Sequence, residues 1–202
     1  MRYTGPKAKK ARRLGMAFTA KDAKVLQRRN FAPGQHGQNR VRLSEYGTQL
    51  REKQKAKIAY GVMEKQFESY FNKALKQAGV TGNNLLKLLE LRLDNIIYRL
   101  GFAETRAQAR QLVNHGFFEV NGKKVDIASY AVKPGDTVAI RQVKLKKGYI
   151  EKIREKLKTF KTLDWVQLNP EKFSGKVLSS PDIDSLGSEI NTQLIVEHYS
   201  RT

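Results

Sequence analysis

The sequence predicts an α+β protein, in which helical segments lead into a compact helix-and-strand module behind a basic N-terminal arm. Three observations predict it. Apolar residues recur at three- and four-residue spacing between positions 43 and 114, which is the period of a helix buried on one face. Between positions 117 and 141 they alternate around tight-turn sequences, which is the period of half-buried strands. Residues 1–42 follow neither period and carry twelve lysines and arginines against the single acid Asp22.

The arm contains Gly5-Pro6 and Pro33-Gly34 and few apolar anchors, so it is expected to stay mobile until a polyanion orders it. From Leu43 a helix follows, capped by Ser44 and strongly basic through Arg51, Lys53, Lys55 and Lys57, ending near Tyr60-Gly61. A second helix carries Met63, Phe67, Tyr70, Phe71, Ala74 and Ala78 on one stripe and stops at Gly79. That regular spacing gives the aromatics a core role, not a base-stacking one. Thr81-Gly82-Asn83-Asn84 supplies loop and cap chemistry before a further helix, whose Leu85, Leu89, Leu93, Ile96, Ile97 and Leu100 share a face up to Gly101.

Thr105-Arg106-Ala107-Gln108 fits a capping box, so a short helix should run from Arg106 to Asn114 and stop at His115-Gly116. Phe117-Phe118-Glu119-Val120, the turn Asn121-Gly122 and Lys123-Lys124-Val125 form a hairpin. Lys133-Pro134-Gly135-Asp136 is a second turn before the strand Thr137–Arg141. A basic helical connector from Lys144 to Lys161 follows. The tail is acidic and poorly suited to phosphate.

Composition narrows the function. The 202 residues hold 39 Lys+Arg against 19 Asp+Glu, a formal net charge of +20, and such an excess is tolerated where a polyanion neutralises it. A membrane surface would call for a long apolar stretch or an amphipathic anchor, and neither stands out. No signal-like apolar run follows Met1, so the chain is expected in the cytosol. With no cysteine and only His36, His115 and His198, neither a disulfide nor a thiolate metal site is expected, and no cofactor.

The short helix concentrates the chemistry. Four-residue steps place Arg106, Arg110 and Asn114 on one stripe beside an apolar stripe of Ala109, Leu112 and Val113, so two guanidiniums should face outward toward phosphate. The amides near Thr105 offer a further anion site. Asp94, next to Arg92 on a Leu-rich segment, reads as the structural partner of a basic side chain rather than as a catalytic acid.

Taken in order, Leu91-Arg92-Leu93-Asp94, Thr105 through Val113, and Val120-Asn121-Gly122-Lys123-Lys124-Val125 resemble the small RNA-binding module of the alpha-L type. That module is shared by ribosomal, pseudouridine-synthase and tyrosyl-tRNA-synthetase families. Arg2-Tyr3-Thr4-Gly5-Pro6, Pro33-Gly34-Gln35-His36-Gly37, Gln49 through Lys55, Tyr60-Gly61-Val62 and Leu194-Ile195-Val196-Glu197 extend the resemblance, over nearly the whole chain, to the family of the fourth small-subunit ribosomal protein, bacterial type. It lacks the N-terminal zinc cysteines of several relatives.

The resemblance implies a primary binder of small-subunit (16S-type) rRNA that nucleates assembly and contributes to translational accuracy where mRNA enters. Neighbouring small-subunit ribosomal proteins and mRNA are the implied partners, with no membrane, no small-molecule substrate and no catalysis. It also implies a helical domain of residues 43–88, completed by 155–202, around an inserted module of residues 89–154. The expected RNA-contacting residues on the arm are Arg2, Tyr3, Lys9, Lys10, Arg12, Arg13, Gln35, His36, Arg40 and Arg42, followed by Arg51, Lys53 and Lys55. In the module they are Arg92, Thr105, Arg106, Gln108, Arg110, Gln111, Asn114, His115, Asn121, Lys123 and Lys124. An RNA-modifying enzyme would need a second catalytic fold, for which the flanking segments are too short and too polar. A nonspecific DNA-compacting protein rests on charge alone.

Overall fold

A computed structural model of the chain describes residues 5–39, 42–145, 148–182 and 189–201. It divides into two compact units, Met1–Leu85 with Ser188–Thr202, and Leu86–Gly187.

The first unit is helical. Its elements are α1 (Lys7–Leu14), α2 (Ala20–Arg28), α3 (Glu45–Ala59), α4 (Glu64–Leu75), the start of α5 (Thr81–Glu90) and α9 (Thr192–Ser200). The arm is therefore more ordered than its composition suggested. Ala11 and Leu14 are buried, and the Arg12 guanidinium lies 4.8 Å from the Phe31 ring centroid while donating to the carbonyls of Phe31 (3.0 Å) and Ala32 (3.2 Å). Thr19 caps α2 by accepting from the Asp22 amide at 3.2 Å. Arg51 of α3 donates to the Arg13 carbonyl and ties the arm down. Few apolar side chains suffice here because guanidiniums reach the Arg13 carbonyl in the last turn of α1 and the Phe31 and Ala32 carbonyls of the loop after α2.

Helix α3 begins at the expected Ser44 cap, whose hydroxyl accepts from the Gly47 amide at 3.2 Å. It packs with α9: Gln49 Nε2 donates to Glu197 at 3.1 Å, and the Asn191 amide donates to Glu52 at 3.2 Å. On α4, Phe67, Phe71 and Ala74 are buried as the stripe predicted, and the Phe71 ring stacks on Tyr199 at 4.3 Å, whereas Met63 and Ala78 at the two ends of the stripe are exposed and Tyr70 is only partly buried.

The second unit holds α6 (Leu93–Arg99), α7 (Arg106–Asn114), β1 (Phe118–Val120), β2 (Lys123–Lys124), β3 (Thr137–Ile140), a 3-10 turn at Gln142–Lys144, α8 (Tyr149–Thr159), β4 (Val166–Asn169) and β5 (Ser174–Val177). The strands form an antiparallel sheet in the order β2-β1-β3-β5-β4. Asn121 (φ 50) and Gly122 (φ 77) make the hairpin turn between β1 and β2, with the backbone that an Asn-Gly pair favours. The core gathers Leu93, Ile96, Ile97 and Leu100 of α6 and its C-terminus, Ala109 and Val113 of α7, and Phe118, Val138, Val177 and Trp165 of the sheet side.

Two boundaries differ from the sequence reading. Thr81 opens α5 rather than a loop, and the expected single helix to Leu100 breaks at Leu91-Arg92. There the passing segment 128–132 takes the backbone bonds: Leu93 N donates to Tyr130 O, Asp94 N to Ala128 O and Val132 N to Leu91 O. In addition, β4 and β5 join β3, so residues 155–182 fall in the sheet-bearing unit, whereas the sequence boundary grouped them with the helices.

Candidate nucleic-acid interface

Helix α7 has the predicted bounds and a modified capping box. Thr105 Oγ1 accepts from the Gln108 amide at 3.2 Å, but Gln108 Oε1 accepts from Glu104 N (2.8 Å), one residue upstream of the cap. Gln108 Nε2 donates to the Tyr149 hydroxyl at 2.9 Å, and that hydroxyl donates to Phe102 O at 3.0 Å. Burial, reinforced by the charge of Glu104, pushes the Tyr149 phenol up to about 12, so it stays a donor. Thr105 and Gln108 thus serve to fix α7 against α8.

The arginine stripe does not face outward. Arg110 donates through Nε to Asp94 Oδ2 at 2.7 Å, and Arg106 through Nε to Asn95 Oδ1 at 2.7 Å, with its guanidinium over the Tyr98 ring at 4.6 Å. Arg92, only 3 % exposed, binds both Asp94 oxygens, at 3.1 and 2.9 Å. Fully buried Glu90 accepts from Arg99 at 2.9 and 2.7 Å and from Asn95 at 2.6 Å. The physical reason for the correction is the buried acid: a desolvated carboxylate is tolerated only when cations and donors surround it, and Arg106 and Arg110 of α7 complete the set begun by Arg92, Asn95 and Arg99. Asp94 is the structural partner that the sequence indicated, with Arg110 as well as Arg92 on it.

What α7 does expose is Gln111, Asn114 and His115. At its C-terminus the chain turns at Gly116 into β1, and cations gather there. A Cβ on Gly116 would stand 2.8 Å from Lys124 Cε and 3.9 Å from Arg141 Nη1, and Arg141 Nη1 donates to Gly116 O at 3.2 Å. Lys144 sits 5.1 Å from the Phe117 ring centroid. Lys123 is exposed beside the turn, while Lys124 reaches Asp126 at 3.2 Å with both half-exposed. The C-terminal end of a helix favours cations, which helps to hold this cluster. Arg141 was missed in the sequence because it closes a strand; its pairing with Phe117 across the sheet is what brings it to Gly116. The Asn121 side chain braces the turn, donating to Asp136 at 2.8 Å and accepting from Thr137 N at 2.9 Å.

In the helical unit, Lys9, Arg13, Gln35, His36 and Arg42 are exposed, together with Lys21, Lys24, Arg28 and Arg29. Lys10 is half-buried, and burial together with the nearby charge of Lys57 lowers its pKa. Arg12 and Arg51 hold backbone carbonyls, as described. Lys53 is buried and paired with Glu64 at 2.8 Å, and Lys55 pairs with Glu52 at 2.5 Å, so both side chains are engaged within the protein. Arg2, Tyr3 and Arg40 lie outside the described residues. Among the described residues no group of three or more His, Asp or Glu side chains is placed to hold a metal. An open groove of about 820 Å³ lies at the sheet edge opposite β2, lined by Arg154, Asn169, Phe173 and Lys176 among others.

A short helix capped on a hairpin-bearing sheet, ringed by lysines and arginines, defines an RNA-binding module, and the comparisons agree. Residues 91–138 match the S4 domain and residues 2–90 match the ribosomal protein S4/S9 N-terminal domain. Proteins named small ribosomal subunit protein uS4 are similar over 99 % of this chain and 99 % of their own length: that of Thermodesulfovibrio yellowstonii is 50 % identical over 209 residues, that of Chloroflexus aurantiacus 50 % over 204, and that of Thermoanaerobacter pseudethanolicus 49 % over 207. The chain belongs to the bacterial uS4 family of small ribosomal subunit proteins. It is a structural, non-enzymatic component of the small subunit with an RNA-binding domain.

Proposed function

We propose that this chain is a primary binder of small-subunit rRNA, that it nucleates subunit assembly in the cytoplasm, and that it influences decoding accuracy where mRNA enters. Each unit carries its own group of exposed basic and polar side chains, and that is the observation behind the reading. One group comprises Lys9, Arg13, Gln35, His36 and Arg42, and the other Gln111, Asn114, His115, Lys123 and Lys124, beside the partly buried Arg141 and Lys144. Arg2, Tyr3 and Arg40, outside the described residues, are counted among the RNA contacts in this reading. Two separate grips suit a folded RNA junction better than a uniform duplex, because both must be satisfied at once and only a particular RNA shape does so. Neighbouring small-subunit proteins and mRNA complete the set of partners.

The test is a titration of the full chain against small-subunit rRNA and an unrelated structured RNA of equal length, over a range of salt. Several phosphate contacts predict a log–log slope of several units on the rRNA and tighter binding to it than to the control. Equal affinity for both RNAs, or a nearly flat slope, overturns the reading.

A further inference from the structure

The buried ion-pair network of the second unit binds four arginines. Arg92 and Arg110 donate to Asp94, Arg99 donates to Glu90, and Arg106 donates to Asn95 with its guanidinium 3.8 Å from Glu90. Their side chains are 3 %, 15 %, 18 % and 22 % exposed respectively in the order Arg92, Arg110, Arg99, Arg106. The two carboxylates are almost wholly buried. Arg106 and Arg110 stand on the helix whose exposed polar groups, Gln111 and Asn114, together with His115 just beyond its end, lead into the cationic cluster at Gly116.

We infer that Glu90 and Asp94 are specificity-determining residues of the RNA surface: they withhold an arginine stripe that would otherwise grip any phosphate backbone. An outward guanidinium presents a planar fork that fits every phosphate alike. Such contacts are the source of sequence- and shape-independent binding. Specificity is a difference of affinities, so it rises when the indiscriminate contribution is removed, even at some cost in total affinity. With their N–H groups on Asp94, Glu90 and the Asn95 amide oxygen, these arginines still add to the long-range positive field, but the direct contacts pass to amide, imidazole and lysine groups. Those groups match an RNA only where its backbone and bases are correctly placed. The inference rests on the reading of this face as an RNA surface.

Three variants of the full chain separate the possibilities: Lys124→Gln, Arg110→Gln and Asp94→Asn, each titrated with salt against small-subunit rRNA and an unrelated structured RNA. Lys124→Gln should lower the slope on rRNA by about 0.7 to 0.9, the value for one phosphate contact. Arg110→Gln should leave both slopes unchanged, although it lowers the thermal midpoint. Asp94→Asn should release guanidiniums, steepen the slope on the unrelated RNA by about one unit, and tighten that binding roughly five- to tenfold at 0.1 M salt. The ratio of the two affinities then falls. A slope loss for Arg110→Gln equal to that of Lys124→Gln overturns the inference while leaving the RNA surface standing. So does a folded Asp94→Asn protein whose binding to unrelated RNA is unchanged. If Asp94→Asn does not fold, the comparison of Arg110→Gln with Lys124→Gln decides. No slope change in any variant removes the surface reading and the inference with it.

Discussion

Gly101 ends the segment that follows α6 and points the chain toward α7, and two physical demands meet on it. Its φ is +82°, and a Cβ there would lie 2.8 Å from both Cγ and Cδ1 of Phe160 and 2.9 Å from Cε1. An alanine at this φ costs about 1–2 kcal/mol in the backbone. The ring contact forces Phe160 aside and costs a further 1–3 kcal/mol or so, as overpacking does. Gly101→Ala should therefore destabilise by about 2–5 kcal/mol. Gly122 provides the control, because its φ of +77° is nearly the same and nothing lies within 4 Å of a Cβ placed there. Gly122→Ala should cost about 1–2 kcal/mol. Any gain from stiffening the unfolded chain is common to both variants. The difference between them, read from urea unfolding followed by circular dichroism, isolates the ring contact. Equal losses in the two variants would refute the packing role of Phe160, and a loss below about 0.5 kcal/mol at Gly101 would refute the backbone reasoning as well.

Other outcomes follow from the same structure. Tyr149→Phe removes the hydroxyl that joins Gln108 to Phe102 O and should cost about 1–2 kcal/mol in urea unfolding, with no change in the salt slope of RNA binding. Arg12→Ala releases segment 31–32 and should speed tryptic cutting after Arg28 and Arg29 in the RNA-free protein; an unchanged rate would mean that the arm is held by other contacts. Burial lowers the pKa of His198 below its ordinary 6.5, reinforced by Lys53 and opposed by Glu64. The unfolded chain then takes up the proton first, so stability is complete above about pH 6.5 and declines as the pH falls below it. His198→Gln should flatten the thermal midpoint between pH 7 and 5.5. At Glu64 burial acts to raise the pKa, but hydrogen bonds and charges from Lys53 and Lys57 outweigh it and bring the carboxyl down to about 2. Its contribution is present above 4.5 and is lost as the pH falls from there toward 2; because the side chain is 46 % exposed, it amounts to less than about 1 kcal/mol. Glu64→Gln should remove that step from the acid-unfolding curve.

Local patterns carried much of the fold into the sequence. The cap at Thr105, the apolar residues Ala109 and Val113, and the Asn121-Gly122 turn are all set by neighbours within a few positions, and each stands where its spacing placed it. The break at Leu91-Arg92 was not legible, because the apolar face runs through it from Leu89 to Leu93 without a change of period. Only the carbonyls of Ala128 and Tyr130, some forty residues on, explain it. Strands β4 and β5 were hidden because each is short and mixed in polarity; they form a local hairpin, but its place in the sheet depends on β5 pairing with β3 across thirty or more residues. The outward arginine stripe failed on a different point. Helical spacing correctly set Arg106 and Arg110 on one side, but which side faces solvent was decided by Glu90 and Asp94, whose burial no local pattern announces. The arm failed in the opposite sense. Its charge suggested disorder, whereas Arg12 uses that charge to hold carbonyls and Arg51 of α3 holds the Arg13 carbonyl.

The pairing of α3 with α9 joins segments nearly 150 positions apart, with the whole of the second unit synthesised between them. Synthesis thus imposes an order. Residues 86–187 have all their strands in hand before α9 exists, and can close their sheet while the earlier helices still lack a neighbour for Gln49 and Glu52. At about 5–20 residues per second, α3 waits on the order of ten seconds for α9 to be made. For that interval a strongly basic, half-packed helical segment is free to meet RNA, so the second unit is a completed body while the first is still a nascent one.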